Sequence, residues 1–425
     1  MRKKTILLLS IMLTCSGFLG FSQDTLRLTL EDAKSYAMEN SRTIKKANIS
    51  VQKAESARWQ AISSMLPHID ASLGYTDYFG FVSMGSSILA YGDLTPKVSV
   101  ALSGAQLVGV QLSNISQSMA QISALSDELI IKTNVSSTYY SILVAEESKR
   151  ILQGNKDNVK KLYESTVQLV KVGMAEQTAA DQLEVQVGTM ENAIRSVERN
   201  IELAYNSLRL ILGADVNMPI ALTQTLESFT NKDVALSVAG MSFDLNNNYT
   251  VQLLDQKVEL SKKQVNINQW AYGPTLTGYY QYCTKDYFGK VPAYESIPTN
   301  TFIVKLSIPI FSSGERYSKV KQSKFDLQTS ELEKQETVDG LLVQEKQLRF
   351  NLKSAIETYE LQKKNLDVYQ RIFDKASEKY QYGILSSTDL TTINNNLLIA
   401  QNSYISALME MFTAQINLQK LLNNL

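Results

Sequence analysis

The chain has little of what catalysis and metal binding usually require. Histidine occurs once, as His68, and cysteine twice, as Cys15 and Cys283. No paired-cysteine metal motif, phosphate loop, dinucleotide fingerprint or nucleophile–base set appears. Neither an enzymatic activity nor a metal or other cofactor is expected, and any energy for transport must come from partners. Net charge is absent too, because 42 Lys and Arg balance 42 Asp and Glu. Without a basic patch interleaved with aromatics, nucleic acid is not an expected partner. The apolar stretch from Ile6 to Leu13 is too short to cross a bilayer. It follows Arg2, Lys3 and Lys4 and precedes the small residues Gly20 and Ser22. Residues 1–22 therefore read as a secretory signal. A lipoprotein reading through Cys15 has a poor approach in Met12 and Thr14. Removing the signal leaves Cys283 alone, and one cysteine makes no intrachain disulfide.

Proline is the most informative scarcity. The seven prolines leave two gaps, one from residue 97 to 218 and one after Pro309. Proline inside a helix costs roughly 3 kcal/mol, so those gaps are where long helices can form. Residues 315–422 read as two helices folded back on each other. Leu348, Leu352, Ala355, Tyr359, Leu366, Tyr369, Phe373, Ala376 and Tyr380 alternate by fours and threes, with one interruption at Gln362. The alternation resumes at Leu390, Ile393, Leu397, Ala400, Tyr404, Ala407, Met411, Ala414, Leu418 and Leu421. A repeat of about 3.5 residues held this long marks helices that wrap other helices. Gly383 can end the first helix in a left-handed conformation, and Ser386 to Thr388 offer caps for the second.

The upstream chain carries the same plan a second time. We divide it into a first repeat at 23–213, a linker at 214–245 and a second repeat at 246–425. In the first, a helix over about 31–65 is stopped by Pro67. Ile69, Ala71, Leu73 and Tyr75 then alternate with polar or small residues, as in a strand with one oily face. A loop over 79–96 precedes a second strand with Val98, Val100 and Leu102. A helix over about 110–172 ends at Gly173, and its return helix ends at Gly213. In the second repeat the helix over about 248–271 is stopped by Pro274, 207 residues after Pro67. Strands over 275–283 and 301–310 flank a loop rich in Tyr, Pro and Gly. Gly173 and Gly383 lie 210 residues apart.

Four strands with one oily face make an open sheet, and bare sheet edges do not exist in lipid. Strands of about 10 residues fit a tilted bilayer crossing, with lipid outside and water inside. Four strands cannot close around water, so several chains must combine; the periodicity does not set how many. A helix of about 65 residues is about 100 Å long. The two shorter helices of each repeat sum to about one long helix, and Ala and Ser share the heptad faces with Leu and Ile. Such faces suit a curved wall of helices better than a solid bundle. A soluble coiled-coil scaffold would account for the helices but not for strands inserted at matched positions.

Among the few polar positions with a special place, His68 follows the helix-stopping Pro67 and reads as a junction residue. Cys283 falls on the polar side of its strand and reads as an inert small residue. Asp181 and Asp389 each follow a glycine turn. A symmetric assembly would repeat each as a carboxylate ring at the far end of the tube, able to tune ion selectivity. The competing reading is helix capping, where an acid near a helix N-terminus stabilises by roughly 0.3–1 kcal/mol.

Taken together, several motifs resemble the TolC-type outer-membrane efflux proteins over nearly all of the mature chain. They are the run Leu306-Ser307-Ile308-Pro309-Ile310-Phe311-Ser312-Ser313-Gly314 from strand into helix, Tyr380-Gln381-Tyr382-Gly383 with Asp389, and Val172-Gly173 with Asp181. Leu208-Arg209-Leu210-Ile211-Leu212-Gly213 and the duplicated helix–proline–strand plan complete the set. The resemblance implies a mainly α fold with a small β part. It further implies a homotrimer that closes a 12-stranded β-barrel in the outer membrane of a Gram-negative bacterium and an α-barrel in the periplasm. It implies a passive exit duct of a tripartite efflux pump or type I secretion system, partnered by a periplasmic adaptor and an inner-membrane pump. Tyr380, Asp389 and Asp181 would then stand at the channel entrance. Val172, Gly173, Tyr382, Gly383 and Ser386 would lie at the hairpin tips that dock the adaptor. The chain departs from the family where Leu385 replaces the gate arginine, Ala179 its aspartate partner and Thr392 a second entrance aspartate. In the first repeat, residues 102–107 lack the proline of the strand-exit motif. The alternative from another class is a coiled-coil structural or adhesion protein anchored at the cell surface. The cargo, whether small molecule, metal ion or protein, is not readable, although no run of Met or His pairs lines the strands.

Overall fold

The computed structural model describes residues 25–425 apart from 78, 80–81, 84–85, 88–89, 231 and 289–298. The signal expected over 1–22, with Cys15, lies outside the described residues, as does part of the loop expected over 285–300. In chain order the elements are β1 (Leu26–Leu28), α1 (Leu30–Asn40), α2 (Arg42–Ser63), β2 (His68–Asp77), β3 (Val82–Ser83), β4 (Ser86–Ser87) and β5 (Ala90–Ser103). Then follow α3 (Gly104–Lys171), α4 (Gln177–Leu212), β6 (Ile220–Leu222), α5 (Lys232–Gly240) and α6 (Tyr249–Gln269). The chain closes with β7 (Thr275–Tyr282), β8 (Thr284–Phe288), β9 (Asn300–Ser307), α7 (Glu315–Gln381) and α8 (Ser387–Leu421). The fold is mainly helical with a small sheet part. Among the described residues no helix is long and apolar enough to cross a membrane.

The proline-free gaps are occupied as the composition requires. α3 has 68 residues and α7 has 67, about 100 Å each at ~1.5 Å per residue. α2 and α4 stack along one flank of α3, while α6 and α8 stack between α3 and α7. The sheet runs β2–β5–β7–β9, antiparallel throughout, with β8 extending the pairing of β7 along β5. Each strand of that path adjoins a helix in sequence, and the strand order β2–β5–β7–β9 matches the helix order α2–α3–α6–α7.

Alternation puts most of the large apolar strand side chains on one face; Ile303, paired with Tyr279, is on the other. Ile69 pairs with Val98, Leu73 with Leu94, Leu102 with Leu276, and Leu276 with Leu306. Directly paired residues share a face, so these rows join into one apolar surface. That surface is uncovered: Leu73 is 86% exposed, Ile69 79% and Phe302 72%. The other face carries Asp70, Ser72, Lys97 and Gln281, with the Lys97 ammonium 4.4 Å from the Tyr279 ring centre and that of Lys285 4.5 Å from Tyr91.

The main core lies at the mid-height of α3. Tyr139, Leu208, Leu212, Leu352, Leu408 and Phe412 are almost fully buried there. Tyr140 stacks on Phe412 at 4.5 Å, and the Tyr139 hydroxyl donates to the Leu28 carbonyl at 3.2 Å. The linker wraps this level: β6 pairs in parallel with β1, and Arg349 of α7 donates to the carbonyls of Ala239 and Met241. A second core, nearer the hairpin tips, is built from Val159, Leu162, Leu183, Met190, Phe373 and Leu397.

Four expectations change. The helix over 31–65 is two helices, because Ser41 has extended backbone, ends α1 through its N–H to Ala37 and caps α2 through its hydroxyl. The chain breaks there to pass Gly213, where a Cβ would lie 2.4 Å from the Asn40 carbonyl oxygen. The second strand starts at Ala90 rather than near Val98 and includes Pro96. Proline removes a ladder donor, and this one faces the interruption between β7 and β8, where pairing jumps from Lys97–Gln281 to Leu94–Thr284. α3 starts at Gly104 rather than near 110, through a capping box. Ser103 Oγ accepts from the Gln106 N–H at 3.3 Å, and Gln106 Oε1 accepts from the Ser103 N–H at 2.9 Å. The loop expected over 285–300 opens with β8, paired along β5, while His68, exposed directly after Pro67, starts β2 and pairs with Ser99.

Candidate functional site: the hairpin tips

Both hairpins turn through the same local chemistry. Val172 and Tyr382 are the C-cap residues, followed by Gly173 at φ +75° and Gly383 at φ +71°. In the first, the Gly173 N–H reaches the Val170 carbonyl at 3.0 Å and the Met174 N–H the Leu169 carbonyl at 2.8 Å. In the second, Gly383 reaches Tyr380 at 3.0 Å and Ile384 reaches Lys379 at 2.9 Å. This double return satisfies the last helical carbonyls and needs a left-handed residue, which glycine adopts without steric cost. The tips present Val172 and Tyr382, 68% and 81% exposed, with Met174 and Ile384 beside them.

The return helices begin differently. Ser386 caps α8, its hydroxyl oxygen accepting from the Asp389 N–H at 3.1 Å while its O–H donates to Asp389 Oδ2 at 2.7 Å. Asp389 therefore belongs to the cap and remains exposed. The N-cap of α4, Glu176, makes no side-chain cap bond. Asp181 is one turn inside α4, where Gln177 Nε2 donates to its Oδ1 at 2.7 Å. It does not cap. It lies instead at a groove of about 540 Å³ between α4 and α8, opposite Thr388, Thr391 and Thr392. Asp181 and Thr392 thus line one groove from the two return helices, whereas Asp389 does not line it.

Tyr380 links the two repeats. Its hydroxyl is 2.8 Å from Thr166 Oγ1 on α3. Thr166 is fully buried, and its own proton goes to the Leu162 carbonyl at 2.8 Å. A hydroxyl has one proton, so Tyr380 donates and Thr166 accepts. A second link is Asn394 Nδ2 to Gln186 Oε1 at 3.3 Å, buried between α8 and α4. The sequence reading missed both partners. The available signal was that Thr166 continues the three–four alternation of Val159 and Leu162, a polar residue in an otherwise apolar seam.

Comparisons with known proteins bear on the family and the fold. The family described as outer membrane efflux protein matches the chain twice, at residues 34–214 and 244–424. The outer membrane protein TolC of Salmonella enteritidis is 21% identical over 449 aligned positions, covering 100% of this chain and 87% of TolC. The probable outer membrane lipoprotein SilC of Salmonella typhimurium is 22% identical over 398 positions, covering 90% and 83%. Among solved structures, the CmeC outer membrane channel of Campylobacter jejuni superposes with a TM-score of 0.77 at 17% identity, covering 93% of this chain and 85% of that one. A family match to both halves of the chain, on a fold shared with an outer membrane channel, sets aside the structural or adhesion alternative. The chain belongs to the outer membrane efflux protein family, whose members are exit channels of efflux systems in the Gram-negative outer membrane, with a large periplasmic part.

Proposed function

We propose that three copies of this chain close into one duct, a 12-stranded barrel continued by a wall of helices in the periplasm. The observation that carries this reading is the identical order of strands and helices. Strand edges β2 and β9 adjoin helix edges α2 and α7, so the molecule has the same two open flanks over its whole height. Pairing β9 of one copy with β2 of the next would satisfy the bare ladder groups and bring α7 against the α2/α4 flank in one movement. An apolar ridge on α7 supports a subunit seam. Phe325, Leu332, Val343, Phe350 and Leu361 are exposed and follow one another by seven and eleven residues. Those intervals keep side chains within about 20° of one helix face.

In this reading the residues 23–213 and 246–425 are two structural repeats joined at mid-height by the linker. The hairpin tips are the periplasmic entrance, with Asp389, Asp181 and Tyr380 around the opening. Val172, Gly173, Tyr382, Gly383 and Ser386 form the ends that dock a periplasmic adaptor and, through it, an inner-membrane pump. Exposed apolar side chains at both tips support docking. The test is purification from outer membranes in detergent, mass measurement of the intact assembly and planar-bilayer recording. Trimers with single-channel steps are expected. A rod extracted by salt alone, with no steps, would sink the duct.

A further inference from the structure

The apolar face of the sheet is not flat. Gly278 of β7 carries no side chain there, between Val100 on β5 and Val304 on β9. A hollow of about 310 Å³ follows, walled by Val98, Val100, Leu102, Leu276, Tyr280 and Val304. A second hollow of about 360 Å³ shares Leu102 and Leu276 and continues past Leu107 to Pro274 and Trp270 at the helical end. The two form one slot along β7. From Pro274 to Tyr280 a strand extends about 20 Å at ~3.3 Å per residue. Tilted by about 40°, it descends roughly 15 Å, the depth of one leaflet of a ~30 Å hydrocarbon core.

The helical end of the slot changes character. Trp270 and Tyr272 are half exposed, and the Arg316 guanidinium lies 5.6 Å from the Tyr272 ring centre. Arg316 Nη1 donates to the Pro309 carbonyl at 3.2 Å, leaving its other N–H groups for an anion. Its neighbour Glu315 is engaged by Lys319 at 2.7 Å. Amphipathic rings and a cation beside an apolar slot match the junction between acyl chain and phosphate.

We propose that this slot is a binding site for a glycerophospholipid of the periplasmic leaflet, with one acyl chain lying over Gly278 and the phosphate at Arg316. The site rests on the barrel reading given above, and its chemistry is that of a built lipid site rather than a uniform greasy wall. Gly278→Leu fills the slot without disturbing the sheet. A Cβ there meets nothing closer than Val100 Cγ1 at 3.7 Å, and the backbone is not in the left-handed region.

The experiment uses protein extracted from outer membranes in mild detergent. Bound lipid is counted by native mass spectrometry, and delipidated protein is titrated with phosphatidylethanolamine. Channel conductance is recorded from the same preparation. Wild type is expected to retain phospholipid. Gly278→Leu is expected to lower retention and affinity by about tenfold, the worth of losing burial of about two methylene groups. Arg316→Gln lowers affinity while conductance is unchanged. Conducting wild type without phospholipid overturns the site, as does Gly278→Leu that binds equally well, or lipopolysaccharide found in place of phospholipid. Loss of conductance in wild type would instead overturn the barrel reading and the site with it.

Discussion

Asp389 lies six residues after Gly383 and Asp181 eight after Gly173, so the two are offset between the repeats, and their side chains are engaged differently. Asp389 is tied to Ser386 in the cap of α8, while Asp181 faces the α4–α8 groove beside Thr388. Removing the Ser386 hydroxyl should loosen the start of α8 by about 1 kcal/mol and increase amide exchange over residues 387–391. Asp389→Asn keeps a side chain able to accept from the Ser386 hydroxyl but removes the charge. We therefore expect Asp389→Asn to reduce cation preference in bilayer recordings, and Ser386→Ala to leave that preference unchanged. Equal selectivity in wild type and Asp389→Asn would reduce the aspartate to a capping role. The Tyr380–Thr166 bond makes a separate prediction, because the resemblance puts Leu385 and Ala179 where the family's gate arginine and aspartate would stand. Tyr380→Phe deletes the donor and leaves Thr166 still bonded to Leu162. A typical net hydrogen bond is worth about 1 kcal/mol, about a fivefold shift in a closed–open equilibrium. Open probability should rise with unitary conductance unchanged; an unaltered open probability would remove Tyr380 from the gate.

Secondary structure was legible wherever a single local cause sets it. Proline gaps placed the long helices, glycines placed their turns, and strict alternation assigned strand faces. What escaped depended on residues distant in sequence. The split at Ser41 follows from Gly213 passing close to Asn40, and the Pro96 strand depends on a gap in the pairing of β7 and β8. The start of α3 was readable in principle, because Ser103 and Gln106 have capping-box spacing; the missing proline obscured it. The β1–β6 ladder joins residues almost 200 positions apart and leaves no local trace. Glycine substitutions separate these two kinds of cause. At Gly173, φ is +75° but nothing lies within 4 Å of a Cβ, so Gly173→Ala has only the left-handed penalty of about 1–2 kcal/mol. At Gly213, φ is +73° and the added carbon also meets the Asn40 oxygen at 2.4 Å. Gly213→Ala should lower apparent melting temperature clearly more than Gly173→Ala, and should loosen the α1–α2 junction in hydrogen exchange. Equal losses would mean that the close approach is relieved by a small shift and contributes nothing.

In the duct proposed above a single chain is incomplete, and the two faces of its sheet would meet different environments. The uncovered row of Ile69, Leu73, Val98, Leu276 and Leu306 would be an aggregation hazard in water, whereas lipid makes it the ordinary exterior of a barrel. The opposite face, with Asp70, Ser72, Lys97 and Gln281, suits water. In that reading neighbouring residues of one strand would face different solvents, which gives a test confined to β2. Leu73, near the middle of the strand, points to the apolar side; Ser72 points away from it. Arginine facing lipid at mid-depth costs about 2–4 kcal/mol, whereas lumen-facing substitutions tune conduction. In a trimer the penalty recurs at each of three symmetric positions. Leu73→Arg should deplete the assembled channel from the outer membrane and lower the yield of trimer. Ser72→Arg, one residue away with the same added charge, should assemble normally and pass less cation current. The contrast does not depend on knowing the cargo, the adaptor or the pump. If both variants assembled equally and conducted alike, β2 would not separate lipid from water, and the helical wall would need another reason to carry a sheet at its end.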